Sequence, residues 1–174
     1  MDAPLPWWSP ADFLTAVRIP LAVAFVAIPD NGARLVILAA AGGSDFADGL
    51  VARKWGGSRL GAFLDPVADK LFMACAFAVV LVSGALNVFE ILGVLARDFA
   101  TALAFLFTVL FSRPSAVPAR LGGKAVTIGQ LLTLLAFLLG SELLRPVAWA
   151  TAAVALYAIW DYARVAKEKR PLGE

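Results

Sequence analysis

Apolar residues along this chain gather into six stretches separated by short, turn-rich breaks. The stretches run Phe13–Ile28, Ala33–Val51, Gly61–Val82, Phe89–Phe111, Val126–Leu139 and Pro146–Val165. The breaks hold Pro29-Asp30-Asn31-Gly32, Gly56-Gly57-Ser58, Ser83-Gly84, the segment from Pro114 to Pro118, and Pro146, all residues that favour chain reversal. A membrane-spanning helix needs about 20 mostly apolar residues. The pattern therefore predicts an all-α integral membrane bundle of six transmembrane helices, one domain over residues 1–174, with the bundle at 13–165 and a cytoplasmic tail at 166–174. Trp7 and Trp8 suit the headgroup level, and Pro10-Ala11-Asp12 predicts a short interfacial helix in the segment 1–12. Asp2, where a signal peptide would carry basic residues, argues against a cleavable leader. The first and fifth stretches are short, and the second and third are not clean spans because each carries two aspartates.

Composition agrees with the membrane reading. Of 174 residues, 61% are hydrophobic and 16% charged, against about 45–50% and roughly 25% in soluble domains. A net charge of +2 with no long basic tail gives no footing for nucleic acid. The absence of histidine excludes His-based acid–base catalysis and His-ligated zinc. Cys75 is the single cysteine and lies in an apolar run, where it reads as a small buried hydrophobe. Basic residues collect on alternate connections: Arg53, Lys54 and Arg59, then Arg113, Arg120 and Lys124, then Arg164, Lys167, Lys169 and Arg170. The positive-inside rule puts these, and with them both termini, on the cytoplasmic side.

Against this background the chemistry concentrates in Ser44–Lys70, which carries Asp45, Asp48, Asp65 and Asp69. Carboxylates beside hydrocarbon are costly, and four together repel unless a cation neutralises them. Asp45 and Asp48 are three apart and Asp65 and Asp69 four apart, so on helices each pair shares a face. The Gly56-Gly57-Ser58 loop lets helices two and three return antiparallel and the pairs converge. Oxygen-only ligands suit magnesium, manganese or calcium, and four carboxylates can hold two ions about 3.5–4 Å apart, an arrangement common in phosphoryl displacement. Gly49, Ala52 and Gly61 leave room for a nucleotide or, as is commoner for such residues taken alone, for close helix packing. Intramembrane acids also build ion or proton pathways; here, however, all four fall at one membrane end, the cytoplasmic one.

The pattern Asp45-x-x-Asp48-Gly49-x-x-Ala52-Arg53, seven residues, then Gly61-x-x-x-Asp65-x-x-x-Asp69 resembles the CDP-alcohol phosphotransferase signature at all eight fixed positions. The resemblance implies transfer of a substituted phosphate from a CDP-linked donor to an alcohol, with release of CMP. It implies that Asp45, Asp48, Asp65 and Asp69 bind the metals, two Mg2+ or Mn2+ ions, and that Asp69 is also the general base. It further implies a nucleotide site of Asp48, Gly49, Ala52, Arg53, Gly61 and Asp65, and association into dimers, as is frequent in the family.

Around the signature, Gly61-Ala-Phe-Leu-Asp65-Pro66-Val-Ala-Asp69-Lys70 is most similar to the phosphatidylglycerophosphate synthase branch. So is Asp12-Phe-Leu-Thr15-Ala-Val-Arg18, with Asp12 where the branch has asparagine. This similarity implies CDP-diacylglycerol as donor and glycerol 3-phosphate as acceptor. An anionic acceptor needs basic residues, and Lys70, Arg97, Arg120 and Lys124 are the candidates. A side-chain pair between Arg97 and Asp98 is not expected, since adjacent helix positions face apart. The alternatives are a CMP-forming cardiolipin synthase, with phosphatidylglycerol, a lipid alcohol, as acceptor, and an ion or proton transporter.

Overall fold

Each apolar stretch becomes a helix. The computed structural model describes residues 7, 10–55, 58–111 and 121–168; within it the side chains of some helical residues, including Asp45, Asp48, Gly49, Ala52 and Arg53, fall outside the description. The helices are α1 (Pro10–Ala27), α2 (Asn31–Trp55), α3 (Arg59–Val82), α4 (Val88–Phe111), α5 (Leu121–Leu138) and α6 (Leu144–Glu168). They fall into two compact units, Met1–Val82 and Ser83–Glu174.

Local chemistry sets the helix ends. Asp30 caps α2 by accepting the Ala33 N–H at 2.7 Å, and Ser58 caps α3 by accepting the Gly61 N–H at 2.7 Å. At α4, Asn87 Oδ1 accepts from the Glu90 N–H at 2.9 Å while Glu90 Oε2 accepts from the Asn87 N–H at 2.8 Å, a reciprocal capping box. Helix α5 stops at Gly140, whose φ of 62° only glycine adopts readily. Its N–H reaches the Phe137 carbonyl at 3.1 Å and the Ser141 N–H the Ala136 carbonyl at 2.9 Å, closing the last turn.

In the first unit α1 packs against both α2 and α3. Arg34 Nε donates to the Phe25 carbonyl at 2.9 Å and Arg18 meets Ser44, so α1 and α2 run antiparallel. Asp12 meets Ser58, and the Phe25 and Phe72 rings pack edge-on at 5.7 Å, so α1 and α3 run parallel. In the second unit α6 packs against both α4 and α5. Arg145 facing Glu90 and Ala152 facing Gly93 make α6 parallel to α4, while the Gly122–Ala158 and Gly129–Thr151 contacts make it antiparallel to α5.

Several expectations change. The interfacial helix is not a separate element: Pro10 opens α1, which runs on to Ala27, proline suiting a first helical position. Residues 1–6, 8 and 9 of that segment lie outside the described residues. Pro146 does not break the chain but sits in the first turn of α6, where its missing N–H is harmless, and α6 extends to Glu168, into the expected tail. Among the described residues α2 and α3 each pack on α1 and run opposite to one another; Gly56 and Gly57 of the expected turn lie outside the described residues. Finally, among the described residues no helix is long and apolar enough to cross a membrane. Helices α1 and α5 have 18 residues each, about 27 Å at a rise of ~1.5 Å, just short of a ~30 Å hydrocarbon core. The longer helices interrupt their apolar runs: Asp45, Asp48, Arg53 and Lys54 in α2, Arg59, Asp65, Asp69 and Lys70 in α3, Glu90, Arg97 and Asp98 in α4, Arg145, Asp161 and Arg164 in α6.

Candidate functional site

The signature lies wholly in the first unit. Asp45, Asp48, Gly49, Ala52 and Arg53 occupy the C-terminal half of α2, where the backbone is described but these side chains are not. Gly61, Asp65, Asp69 and Lys70 follow on α3. Asp65 and Asp69 are both exposed and share one face of that helix; Lys70 is half-buried. Among the described residues no group of three or more His, Cys, Asp or Glu is placed to hold a metal; the described part of the acidic set is the Asp65–Asp69 pair. Those two groups fit a hard divalent cation. They offer carboxylate oxygens at the protein surface and no softer donor.

Helix α1 supplies what the signature leaves out. Asp12, Thr15 and Arg18 are 6%, 0% and 2% exposed. The Thr15 hydroxyl donates to Asp65 Oδ1 in a short hydrogen bond. Arg18 Nε donates weakly, at 3.4 Å, to Ser44 Oγ, on the residue preceding Asp45. Ser58 Oγ lies 2.7 Å from both carboxylate oxygens of Asp12. A Cβ built on Gly61 would come within 2.5 Å of Asp12 Oδ1, so the missing side chain at Gly61 is needed for contact with α1. The sequence carries a signal for this row: polar residues recur at every third position in an apolar helix.

The second unit holds three of the four basic candidates, two of them among the described residues. Arg97 and Asp98 do pair, Nη1 to Oδ1 at 3.2 Å, contrary to the expectation from adjacency. The long arginine side chain can curl back to its neighbour, and the other Asp98 oxygen is held by Gln130 Nε2 at 2.6 Å. Gln130, 2% exposed, also donates to the Val94 carbonyl at 3.1 Å. Among the described residues, Arg97 Nε is buried and meets no hydrogen-bond partner. Arg97 Nη2 and the Tyr162 hydroxyl both approach Gly123, at 2.6 and 2.8 Å from where its Cβ would be. Lys124, the next residue, is exposed. Sequence reading passed over Gln130 and Tyr162, which carry no charge and stand in apolar helices. Arg120 lies outside the described residues.

Comparison with known proteins converges on one family. Residues 8–160 match the family described as CDP-alcohol phosphatidyltransferase. A putative cardiolipin synthase of Mycobacterium tuberculosis is 36% identical over 164 residues, covering 87% of this chain and 78% of its own. A probable phosphatidylglycerophosphate synthase of the same organism is 30% identical over 176 aligned positions, covering 94% and 83%. The CDP-diacylglycerol–glycerol-3-phosphate 3-phosphatidyltransferase of Rickettsia bellii is 34% identical over 112 residues, covering 64% and 60%. With the signature complete on α2 and α3 and the match running through both units, the chain belongs to the CDP-alcohol phosphatidyltransferase family.

Proposed function

We propose that the protein is a membrane-bound transferase that moves the phosphatidyl group of CDP-diacylglycerol to glycerol 3-phosphate and releases CMP. The observation that carries this reading is the complete eight-position signature, with Asp65 and Asp69 exposed on one face of α3. Relatives named for the glycerol 3-phosphate reaction support the choice of acceptor. Asp45, Asp48, Asp65 and Asp69 would hold Mg2+ or Mn2+. Such ions, when bound, neutralise the diphosphate and stabilise the departing CMP. Asp69 takes the acceptor hydroxyl proton as that oxygen bonds to the phosphatidyl phosphorus and the bond from phosphorus to CMP breaks. Asp48, Gly49, Ala52, Arg53 and Asp65 form the nucleotide site; Gly61 joins it through backbone alone, because Asp12 fills its side-chain space. Lys70, on the same helix as Asp65 and Asp69, supplies positive charge for the acceptor phosphate; Arg97, Arg120 and Lys124 are the basic candidates of the second unit.

Membrane residence is supported by an inverted pattern on two helices. Exposed Phe89, Leu92, Phe99, Leu103 and Leu106 line one face of α4, and exposed Trp149, Leu156, Tyr157 and Trp160 one face of α6. The buried face of α6 is built instead from Ala148, Thr151, Ala152, Ala155 and Ala158. Small residues inside and large apolar ones outside is how helices pack in lipid. The excess of basic residues on alternate connections supports a cytoplasmic signature end.

A second reading has phosphatidylglycerol as acceptor, favoured by the relatives named putative cardiolipin synthase. The test is CMP release from CDP-diacylglycerol by purified protein in lipid with Mg2+ or Mn2+. Release with glycerol 3-phosphate supports the proposal. Release with phosphatidylglycerol alone moves the assignment to cardiolipin synthesis, and no release with either acceptor rejects both.

A further inference from the structure

A buried polar row is expensive in an otherwise apolar helix unless every member is hydrogen-bonded. Asp12, Thr15 and Arg18 form such a row on α1, three residues apart and all on one face. Each reaches the signature or its immediate border: Asp12 at the start of α3 through Ser58, Thr15 at Asp65, Arg18 at Ser44. If the row served only to bind helices together, a valine at position 15 would do so without burying a hydroxyl.

The Thr15–Asp65 bond has a particular shape. Its donor is fully buried, 0% exposed, and its acceptor belongs to an exposed carboxylate. The bond therefore runs from the core outward and engages one oxygen of a surface group, Oδ1, with Oδ2 outside the bond. Threonine suits the task, since branching at Cβ restricts its χ1 and aims the hydroxyl. Register along α3 is held independently one turn earlier. Ser58 caps the helix while contacting Asp12, and the Gly61 position has no room to slide past Asp12.

We propose that Thr15 is a positioning residue for the divalent cation: its hydroxyl fixes Asp65 by Oδ1 so that Oδ2 is presented to the metal, with the Asp12–Ser58 contact holding α3 in the register where Thr15 and Asp65 meet. This rests on the reading of Asp65 as a metal ligand. Outer-shell hydrogen bonds of this kind change metal affinity by about 10–100-fold when removed.

The experiment is a titration of the full-length protein in nanodiscs with Mn2+, following the loss of the free-ion electron paramagnetic resonance signal. Thr15→Val keeps the shape and removes the hydroxyl; Thr15→Ser keeps the hydroxyl. The Mn2+ dissociation constant should rise about 10–100-fold in Thr15→Val and stay near wild type in Thr15→Ser. In turnover, Thr15→Val should need correspondingly more cation for half-maximal CMP release, with kcat at saturating cation retained. Unchanged Mn2+ affinity in Thr15→Val overturns the proposal, as does an equal loss in the valine and serine variants, which would mark a packing role. Should Thr15→Val fail to fold, Thr15→Ala is compared with Thr15→Ser on the same criteria. Asp65→Asn separates the two layers. If it binds Mn2+ like wild type, the metal reading itself is wrong and this inference goes with it. If it loses Mn2+ while Thr15→Val does not, the assignment of Thr15 alone is wrong.

Discussion

In the first unit the helix that touches both others, α1, meets them through buried polar side chains. In the second, α6 meets its two neighbours largely through glycine, alanine and threonine. Both solve the same problem, bringing three helices together around one. A small-residue contact such as Gly93 against Ala152, or Gly122 against Ala158, fixes how close two helices come but favours no side-chain direction. A hydrogen bond such as Thr15 to Asp65 fixes direction as well. Oriented contacts stand where a carboxylate must be aimed, and unoriented ones where helices need only be close. The polar chain through Gln130, Asp98 and Arg97 is the second unit's exception, and it ends on a basic candidate for the acceptor.

The largest effect should come from Asp69, one turn beyond the oriented carboxylate Asp65 on α3. Asp69→Asn removes the proposed base while keeping its size. It should lower kcat for CMP release by about 10²–10⁴, with CDP-diacylglycerol binding and thermal midpoint close to wild type because the residue is exposed. Turnover like wild type would remove Asp69 as the base and, with it, the link drawn here between directed contacts and chemistry.

Two glycines, one from each unit, sharpen the contrast. An added methyl at Gly61 meets Asp12 Oδ1 at 2.5 Å, and one at Gly129 meets Thr151 Oγ1 at 2.6 Å and Cγ2 at 2.9 Å. Overpacking costs about 1–3 kcal/mol, offset by a gain of roughly 0.5–1 kcal/mol for alanine over glycine within a helix. Gly61→Ala and Gly129→Ala should both lower the thermal midpoint by a few degrees. Only Gly61→Ala should also raise the Mn2+ dissociation constant, because displacing Asp12 shifts the register that carries Asp65. Loss of Mn2+ affinity in Gly129→Ala as well would erase the distinction between the units.

The sequence carried the helices well and the contacts poorly, for a physical reason. Helix existence depends on local runs of apolar residues and on breakers, so all six helices and the Ser83-Gly84 turn could be read from the pattern. The signature was legible because charge in an apolar chain is conspicuous. Contacts between helices depend on residues far apart in sequence. Nothing local says that Thr15 meets Asp65, fifty positions on, or that Gln130 reaches back to Asp98. Gly61 shows the ambiguity directly. Its small size is compatible with room for a nucleotide and, more commonly, with a neighbouring helix, and its partner on α1 is what gives the packing role. Arg97 and Asp98 show the converse. Cβ atoms at adjacent helix positions point apart, but the arginine side chain is long enough to return, and the carboxylate is held in place by a third residue.

The smallest effects distinguish two helix caps that look alike in sequence. Ser58 and Asn87 each accept from the N–H three residues on, at 2.7 and 2.9 Å. Losing such a cap costs about 1 kcal/mol. In Asn87→Ala the backbone N–H of residue 87 still donates to Glu90 Oε2, so that buried carboxylate keeps this donor. The cost should stay near the cap alone, roughly 2–4 °C in thermal midpoint for a chain of this size. Ser58→Ala removes more, because the same hydroxyl serves Asp12, a carboxylate only 6% exposed. Depriving a buried acceptor of a donor adds about 1–3 kcal/mol. Ser58→Ala should therefore melt below Asn87→Ala, and the gap should close in the Asp12→Ala background, where the acceptor is gone. Equal midpoints for the two single variants would mean that Ser58 merely ends a helix, and that the Asp12–Ser58 contact contributes nothing to holding α3 against α1.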